Sequence, residues 1–239
     1  MNVLKHFLGI IFSISLITIC MFSSIDLLVY GNMPGFFVGE VKKYGVLEDI
    51  RVSEEDMNIV TVQMFDYLKG RRESMADITA TIDGEPGVPF FNAKECSHMA
   101  DCQGLFLAGM KIREICIYVC LGILLLMLIA WKGSGLLTLA KDMIGTTVAF
   151  LAILGLTAIL LYQNFYKYFV IFHETFFDND NWLLDPATDR LICIMPEGFF
   201  VDCVKYLGII FGAMIVILLV VSVIIININK KKTSGIQKS

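Results

Sequence analysis

The segment IREICIYVCLGILLLMLIAW, residues 112–131, decides the fold class of this chain. From Ile115 to Trp131 it carries no charged side chain. A helix needs roughly 20 apolar residues to cross the hydrocarbon core of a bilayer. The segment therefore predicts a transmembrane helix.

Three other segments have the same character: Phe7–Val29, Met143–Tyr162 and Leu207–Ile226. The chain has 239 residues and is 56% hydrophobic, so little of it remains for a separate soluble domain. The first segment is longer than the apolar core of a signal peptide, about 7–15 residues, and no small-x-small cleavage site follows it. We therefore expect an integral membrane protein, mainly α-helical, with four transmembrane helices.

The basic residues predict the orientation. Lys5 precedes the first segment, Lys132 and Lys141 flank the short second loop, and Lys230–Lys232 follow the fourth segment. Short loops rich in lysine stay in the cytoplasm. Both termini and the Lys132–Asp142 turn are therefore expected inside and the two long loops outside. The net charge of −4 gives no indication of nucleic-acid binding.

The predicted domain layout follows from this orientation. It is transmembrane helix 1 at 1–31, an extracellular cap at 32–111, transmembrane helices 2 and 3 with a short cytoplasmic loop at 112–162, an extracellular loop that completes the cap and the site at 163–206, and transmembrane helix 4 with a basic cytoplasmic tail at 207–239.

The first long loop has the pattern of a small α+β cap. SEEDMNIVTVQMFDYLKGRR opens with Ser53, has Asp56 three residues later, and continues with apolar residues at helical spacing. ADITATID alternates as a strand does, and Asp83-Gly84 predicts a turn into VPFFN. A second helix is expected to begin around Asn92.

The chain has only three histidines. His6 stands beside Lys5, which indicates a membrane-surface role. His98 and His173 each lie where an outer loop returns to the membrane, and histidine is the usual general acid or base near neutral pH. Four cysteines are also predicted outside, where disulfides within or across the loops are open alternatives: Cys96, Cys102, Cys193 and Cys203.

Other chemistries have weaker signals. Cys96, His98 and Cys102 lie close together, but their spacing matches no strong zinc pattern. A serine hydrolase would need G-x-S-x-G, which is missing. The acids of DNDNW lack the spacing and glycine of an EF-hand loop.

Two motifs resemble those of a known family. FFNAKECSHMADCQGLF has an aromatic residue, a glutamate and then His-Met-x-Asp before an apolar helix. FHETFFDNDNWLLDPATDRLICIMPEGFF has Phe-His, a Phe pair, Trp, Asp-Pro, Asp-x-Leu-Ile, Pro and a final Phe. Together with the four-span topology they resemble the lipoprotein intramolecular transacylases of Gram-positive bacteria. The family usually has Val-Asp-Val-Lys character where this chain has Ala100 to Gln103, so no basic residue stands at Gln103.

The resemblance implies the following activity. The enzyme would move the sn-2 acyl chain of an S-diacylglyceryl cysteine to the α-amine of that cysteine, which gives a lyso-form lipoprotein. His98 and His173 would be catalytic, one accepting a proton from the amine and the other donating to the glycerol oxygen. The aromatic residues Phe172, Phe176, Phe177 and Trp182 would contact the substrate and exclude water.

The same resemblance implies a multi-pass protein of the cell membrane with its active site at the outer face. It would need no cofactor or metal, and its partners would be the diacylated lipoprotein and membrane lipid, without an obligate protein partner. Two alternatives stay open: another membrane acyltransferase or lipid hydrolase, which could depend on zinc, and a non-catalytic membrane binding protein.

Overall fold

The computed structural model describes residues 2–31 and 33–236; Met1, Asn32 and the last three residues of the expected cytoplasmic tail lie outside this part. The chain is mainly helical. Its elements in order are α1 Asn2–Tyr30, α2 Met33–Lys43, α3 Val46–Ile50, α4 Glu54–Leu68, β1 Thr79–Ile82, β2 Glu85–Pro89, α5 Ala93–Gln163, α6 Phe165–Phe176, α7 Arg190–Ile194 and α8 Glu197–Ile236.

Within the described residues, three helices are long and apolar enough to cross a membrane: Asn2–Val29, Ala93–Leu160 and Glu197–Lys231. They contain three of the four predicted apolar segments, and the remaining one, Met143–Tyr162, extends just beyond Leu160. Residues 112–131 and 143–162 both fall in α5, so the structure gives three candidate spans and the prediction of four is not confirmed.

Helix α5 is interrupted at Lys132, whose φ of 49° and ψ of −130° are not helical. A Cβ atom on Gly135 would lie 2.5 Å from the carbonyl oxygen of Met127. In a straight helix, residues as far apart in sequence as Met127 and Gly135 would lie about 12 Å apart along the axis. The chain therefore folds back at Lys132, and Met127 packs with Leu139 of the second half in a buried cluster.

The described residues form two compact units. The first, which we call the apolar unit, contains residues 2–24, 111–168 and 208–236. The second, the α+β unit, contains residues 25–31, 33–110 and 169–207. The first turns of α5 and α8 belong to the α+β unit, so Ala93–Met110 precedes the apolar part of α5.

In the apolar unit, His6 makes a contact that the sequence does not predict. Its Nδ1 lies 2.9 Å from a carboxylate oxygen of Asp142. The backbone of Gly9 runs so close to the same carboxylate that a Cβ there would overlap it. The expected membrane-surface role of His6 does not account for this contact.

The α+β unit has its own hydrophobic core, in which Phe37, Met57, Val60, Met64, Ile78 and Phe90 are fully buried. The predicted helix is confirmed: Ser53 is the N-cap of α4, and its hydroxyl accepts a hydrogen bond from the Asp56 N–H. β1 and β2 pair antiparallel through a turn in which both Asp83 and Gly84 have positive φ. The strand predicted around VPFFN is observed as β2, which already ends at Pro89. Phe90 and Phe91 are instead buried in the core.

Helices α2 and α3 have no counterpart in the sequence-based prediction. α2 begins with Met33, Pro34 and Gly35, and glycine lowers helix propensity by about 1 kcal/mol relative to alanine. It forms because Phe37, Val38 and Val41 are buried against the rest of the core. Tertiary packing therefore outweighs local propensity here.

Candidate active site

The first turn of α5 is held by a reciprocal pair of hydrogen bonds. The side-chain oxygen of Asn92 accepts from the Glu95 N–H at 3.0 Å, and a Glu95 carboxylate oxygen accepts from the Asn92 N–H at 2.7 Å. This is a capping box, which satisfies two N–H groups at the helix start. The expected helix start around Asn92 is confirmed, and His98 lies one turn further along the same helix.

Glu95 also connects α5 to α7. Its second carboxylate oxygen accepts from the buried Leu191 N–H at 2.6 Å, and its side chain is 1% exposed. Burial raises the pKa of Glu95, while the N–H donors of Asn92 and Leu191 act in the opposite direction. One carboxylate thus joins the two sequence motifs.

The two histidines of the outer loops lie together. The ring centroids of His98 and His173 are 5.7 Å apart, with an angle of 36° between the ring planes. Each side chain is 7% exposed. His98 comes from α5 and His173 from the last turns of α6, so two segments far apart in the chain meet at one site within the α+β unit.

The hydrogen bond of His173 determines which nitrogen carries its proton. Nδ1 lies 2.7 Å from the Phe169 carbonyl oxygen, one turn earlier in α6. A carbonyl oxygen can only accept, so Nδ1 must be the donor. In the neutral ring, Nε2 then has its lone pair available as a proton acceptor.

His98 has one nitrogen without a partner. Its Nδ1 is buried and makes no hydrogen bond to the described residues, whereas Nε2 lies 3.6 Å from the Cys102 sulfur. Burial raises the pKa of the Cys102 thiol to about 12, so this thiol stays protonated. A buried polar atom without a partner is costly, and it is the kind of group that a bound ligand satisfies.

Both imidazoles are held in the neutral form. Burial, followed by the neighbouring His173, lowers the pKa of His98 to about 4. Burial also lowers the pKa of His173, partly offset by its bond to the Phe169 carbonyl. At neutral pH the site therefore presents two uncharged rings in a dry environment.

Aromatic rings cover the pair. The ring centroid of Phe177 lies 5.3 Å from that of His98 and 5.4 Å from that of His173. The centroids of Trp182 and Phe169 lie 4.9 Å and 4.0 Å from that of His173. Phe177 and Trp182 are 7% and 8% exposed. Two of the four aromatic residues expected at the site thus shield the histidines from water.

The other two expected aromatic residues have a different environment. Phe172 and Phe176 are 46% and 54% exposed, and their rings lie 4.8 Å apart. Phe172 still approaches His173, with centroids 5.4 Å apart. These two rings form an exposed apolar surface beside the pair and do not cover it.

Several residues at the site were not selected from the sequence. No sequence motif singles out Phe169, although its position four residues before His173 places the two residues on the same helical face. Glu95 was part of the quoted motif without an assigned role. Asn179 and Asn181, in the acidic DNDNW stretch, donate to the α5 residues Asp101 and Ser97; no local signal indicates such long-range partners.

The outer cysteines are all free thiols, so the disulfide alternatives are not present in this structure. Among residues 2–31 and 33–236, no three His, Cys, Asp or Glu side chains are grouped closely enough to hold a metal ion. Cys96, His98 and Cys102, which lie close in sequence, are among the residues that form no such group.

The lowered pKa of His98 predicts a pH dependence of stability. The unfolded chain binds a proton at His98 below about pH 6.5, whereas the folded chain does so only below about pH 4. Stability is thus fully present above the unfolded pKa and falls as the pH drops toward about 4. His98→Asn is expected to reduce the loss of thermal stability in detergent between about pH 7 and pH 4.5.

His6→Asn is the matched control, because His6 is exposed and belongs to the other unit. It should retain the wild-type response to acid. If His98→Asn loses as much stability in acid as the wild type does, burial of a neutral His98 is not the cause.

Fold and site together define an integral membrane protein with a buried pair of neutral histidines. The model of the family "lipoprotein intramolecular transacylase Lit" matches residues 10–200. The chain belongs to this family, as its two motifs led us to expect.

Solved structures show the same fold. The lipoprotein intramolecular transacylase Lit from Bacillus cereus superposes with a TM-score of 0.73 at 16% identity, covering 98% of this chain and 100% of that one. A variant of that protein with a histidine replaced by arginine gives 0.71 at 17% identity, covering 98% and 96%. A histidine-to-alanine variant gives 0.65 at 17% identity, covering 100% and 97%. No curated protein sequence matches the chain.

Proposed function

We propose that this protein moves the sn-2 acyl chain of an S-diacylglyceryl cysteine to the α-amino group of the same cysteine. The product is a lyso-form lipoprotein, N-acylated and S-monoacylglycerated. The single observation that carries the proposal is the buried pair of neutral imidazoles, His98 and His173, with ring centroids 5.7 Å apart. Membership of the Lit family supports it.

In the proposed reaction, the amine nitrogen attacks the ester carbonyl carbon, an N–C bond forms, and the C–O bond to glycerol breaks. One proton moves from nitrogen to the departing glycerol oxygen, so substrate and product are isomers. His173 accepts the amine proton at Nε2, because its Nδ1–H is already committed to the Phe169 carbonyl. It then returns this proton to the glycerol oxygen.

His98 supplies a hydrogen bond in this scheme. A protonated Cys102 thiol can donate to Nε2, which leaves the ring proton of His98 on its unpartnered Nδ1. Nδ1–H then donates to the oxygen on which negative charge develops. A neutral His98 suits this role, since its low pKa keeps it from competing with His173 for the amine proton.

Burial of the pair favours transfer to the amine over hydrolysis. Phe177 and Trp182 exclude water from the rings, and a dry site strengthens each hydrogen bond to the reacting atoms. The α-amine has a reference pKa of about 7.7–8.0, so formation of its neutral, nucleophilic form near neutral pH costs little. We place Phe172 and Phe176, which are exposed, against the acyl chains of the substrate. No metal or cofactor takes part.

We further propose four membrane crossings, with the two halves of α5 as separate spans around Lys132. Close packing of Gly135 on Met127 supports this hairpin. Both termini and the Lys132–Asp142 turn then lie in the cytoplasm. The cap, formed by residues 32–111 and 163–206, and the histidine pair lie at the outer face of the cell membrane in this proposal.

The topology can be measured with single cysteines in whole cells. A membrane-impermeant maleimide is expected to label Ser74→Cys, in the proposed cap, above the wild-type background. It should not label Ser134→Cys, in the α5 turn, until the cells are permeabilised. Both serines are exposed in the folded chain. Labelling of Ser134→Cys in intact cells would contradict four crossings.

The reaction is tested by tandem mass spectrometry of the N-terminal lipopeptide of a reporter lipoprotein, from cells with and without this protein. Fragmentation should locate one acyl chain on the amine and leave a monoacyl thioglyceryl group. Intact mass cannot serve, because the two forms are isomers. A free amine in both samples, with the protein folded and present, would overturn the proposal. Release of free fatty acid would then favour a lipid hydrolase.

A further inference from the structure

Residues 177–184 form a covering segment over the histidine pair. It contains no helix or strand, and it carries both Phe177 and Trp182, the two buried rings that contact the imidazoles. Neither histidine is more than 7% exposed while this segment is in place. Little of either ring is therefore accessible to the ester group of a lipid in this arrangement.

The middle of the covering segment is held by side-chain hydrogen bonds to α5. Asn179 donates to an Asp101 carboxylate oxygen at 2.9 Å, and Asn181 donates to the Ser97 hydroxyl at 3.0 Å. Lys94 donates to the Leu183 carbonyl oxygen. The α5 partners Lys94, Ser97 and Asp101 have helical spacing i, i+3 and i+7, so they line one face of the helix.

These contacts are weak individually. All three are exposed to solvent, where water replaces a broken hydrogen bond at little cost. Breaking them together exposes Phe177 and Trp182, which opposes spontaneous opening. The covering segment is thus closed at rest but needs only a modest driving force to open.

The two ends are held more firmly. At one end the Phe177 N–H donates to the His173 carbonyl oxygen at 2.9 Å, which continues the helical pattern of α6. At the other end the Asp185 N–H donates at 2.7 Å to Asp189, whose side chain is 4% exposed and also accepts from Asn92. Fixed ends with a weakly held middle are the arrangement of a hinged loop.

We propose that residues 177–184 are a lid over the histidine pair, fastened to α5 by Asn179–Asp101 and Asn181–Ser97, and displaced by the acyl-bearing head of the lipid substrate. The substrate part of this inference rests on the proposed function. Once the lipid is bound, the apolar area that Phe177 and Trp182 lose is replaced by contact with acyl chains.

Trp182 reports directly on the lid. The chain has two tryptophans, and Trp131→Phe leaves Trp182 as the only one. In this background, acrylamide should quench Trp182 fluorescence weakly, because the side chain is 8% exposed. The double change Asn179→Ala and Asn181→Ala is expected to raise the quenching constant severalfold, since opening becomes more frequent. The matched control removes an exposed ion pair elsewhere in the α+β unit, Lys42→Ala with Glu54→Ala, and should leave quenching unchanged.

Displacement of the lid by the lipid substrate is tested with a diacylglyceryl-cysteine peptide. Its amine is acetylated, so that the peptide binds without reacting. Adding it to the Trp131→Phe protein in detergent should change Trp182 quenching, and a monoacyl detergent at equal concentration should not. An unchanged quenching constant in the double alanine variant would overturn the lid. A changed constant in that variant, without any response to the lipopeptide, would overturn the substrate as the displacing ligand.

These readouts do not depend on turnover. If the reporter assay shows no acyl transfer while Trp182 behaves as described, the proposed function fails and the lid stands. If acyl transfer occurs while Trp182 stays shielded in the double alanine variant and with lipopeptide, the lid fails and the proposed function stands.

Discussion

His173→Asn is expected to lower acyl transfer by about 10²–10⁴-fold, the usual contribution of a general acid–base group. Asparagine can still donate to the Phe169 carbonyl oxygen, but it cannot take up the amine proton that Nε2 of His173 accepts in our proposal. The rate of conversion of diacylated to N-acylated reporter lipopeptide, followed by tandem mass spectrometry with purified protein, measures the change.

His98→Asn should reduce the rate as well, because the hydrogen bond from Nδ1 is lost. If the two imidazoles act as one unit, the double variant will be little slower than the worse single variant. His6→Asn is the control and should retain wild-type activity, since His6 pairs with Asp142 in the other unit. Near-normal turnover of a folded His173→Asn protein would show that His173 does not accept the amine proton.

Glu95→Ala should destabilise the folded chain by about 3 kcal/mol, because the buried Leu191 N–H and the Asn92 N–H both lose their acceptor. An unmade hydrogen bond at a buried group costs about 1–3 kcal/mol, and a cavity forms as well. Since Glu95 joins α5 to α7, we expect acyl transfer to fall with stability. Thermal unfolding in detergent, monitored by circular dichroism, measures the first effect.

Glu95→Gln removes the charge and one of the two acceptors, because an amide has only one oxygen and its NH₂ group would face one of the two N–H donors. Its unfolding temperature should lie between those of the wild type and of Glu95→Ala. Glu114→Ala is the matched control on the same helix; Glu114 is exposed and paired with Lys111, and such a pair contributes little. If Glu95→Ala unfolds at the wild-type temperature, the carboxylate does not hold the two motifs together.

Local features of the sequence predicted much of this architecture. The apolar segments were recognised because each is about long enough, as a helix, to cross the hydrocarbon core of a bilayer. The start of α4 was evident from Ser53 and Asp56, and the start of α5 from Asn92, since each cap operates within one turn. α2 was missed because its stability comes from burial of Phe37 and Val41, which depends on distant residues.

At the site, the sequence by itself determined which residue types were available and on which segments they lay: a histidine in each outer motif, with aromatic residues around the second. Only the tertiary structure decided that His98 and His173 meet, that the Phe169 carbonyl places a proton on Nδ1 of His173, and that His98 stays neutral. It also decided that Phe177 and Trp182 cover the pair while Phe172 and Phe176 remain exposed. The physical reason is that burial and hydrogen-bond partners are set by the packing of segments far apart in the chain, which no local pattern encodes.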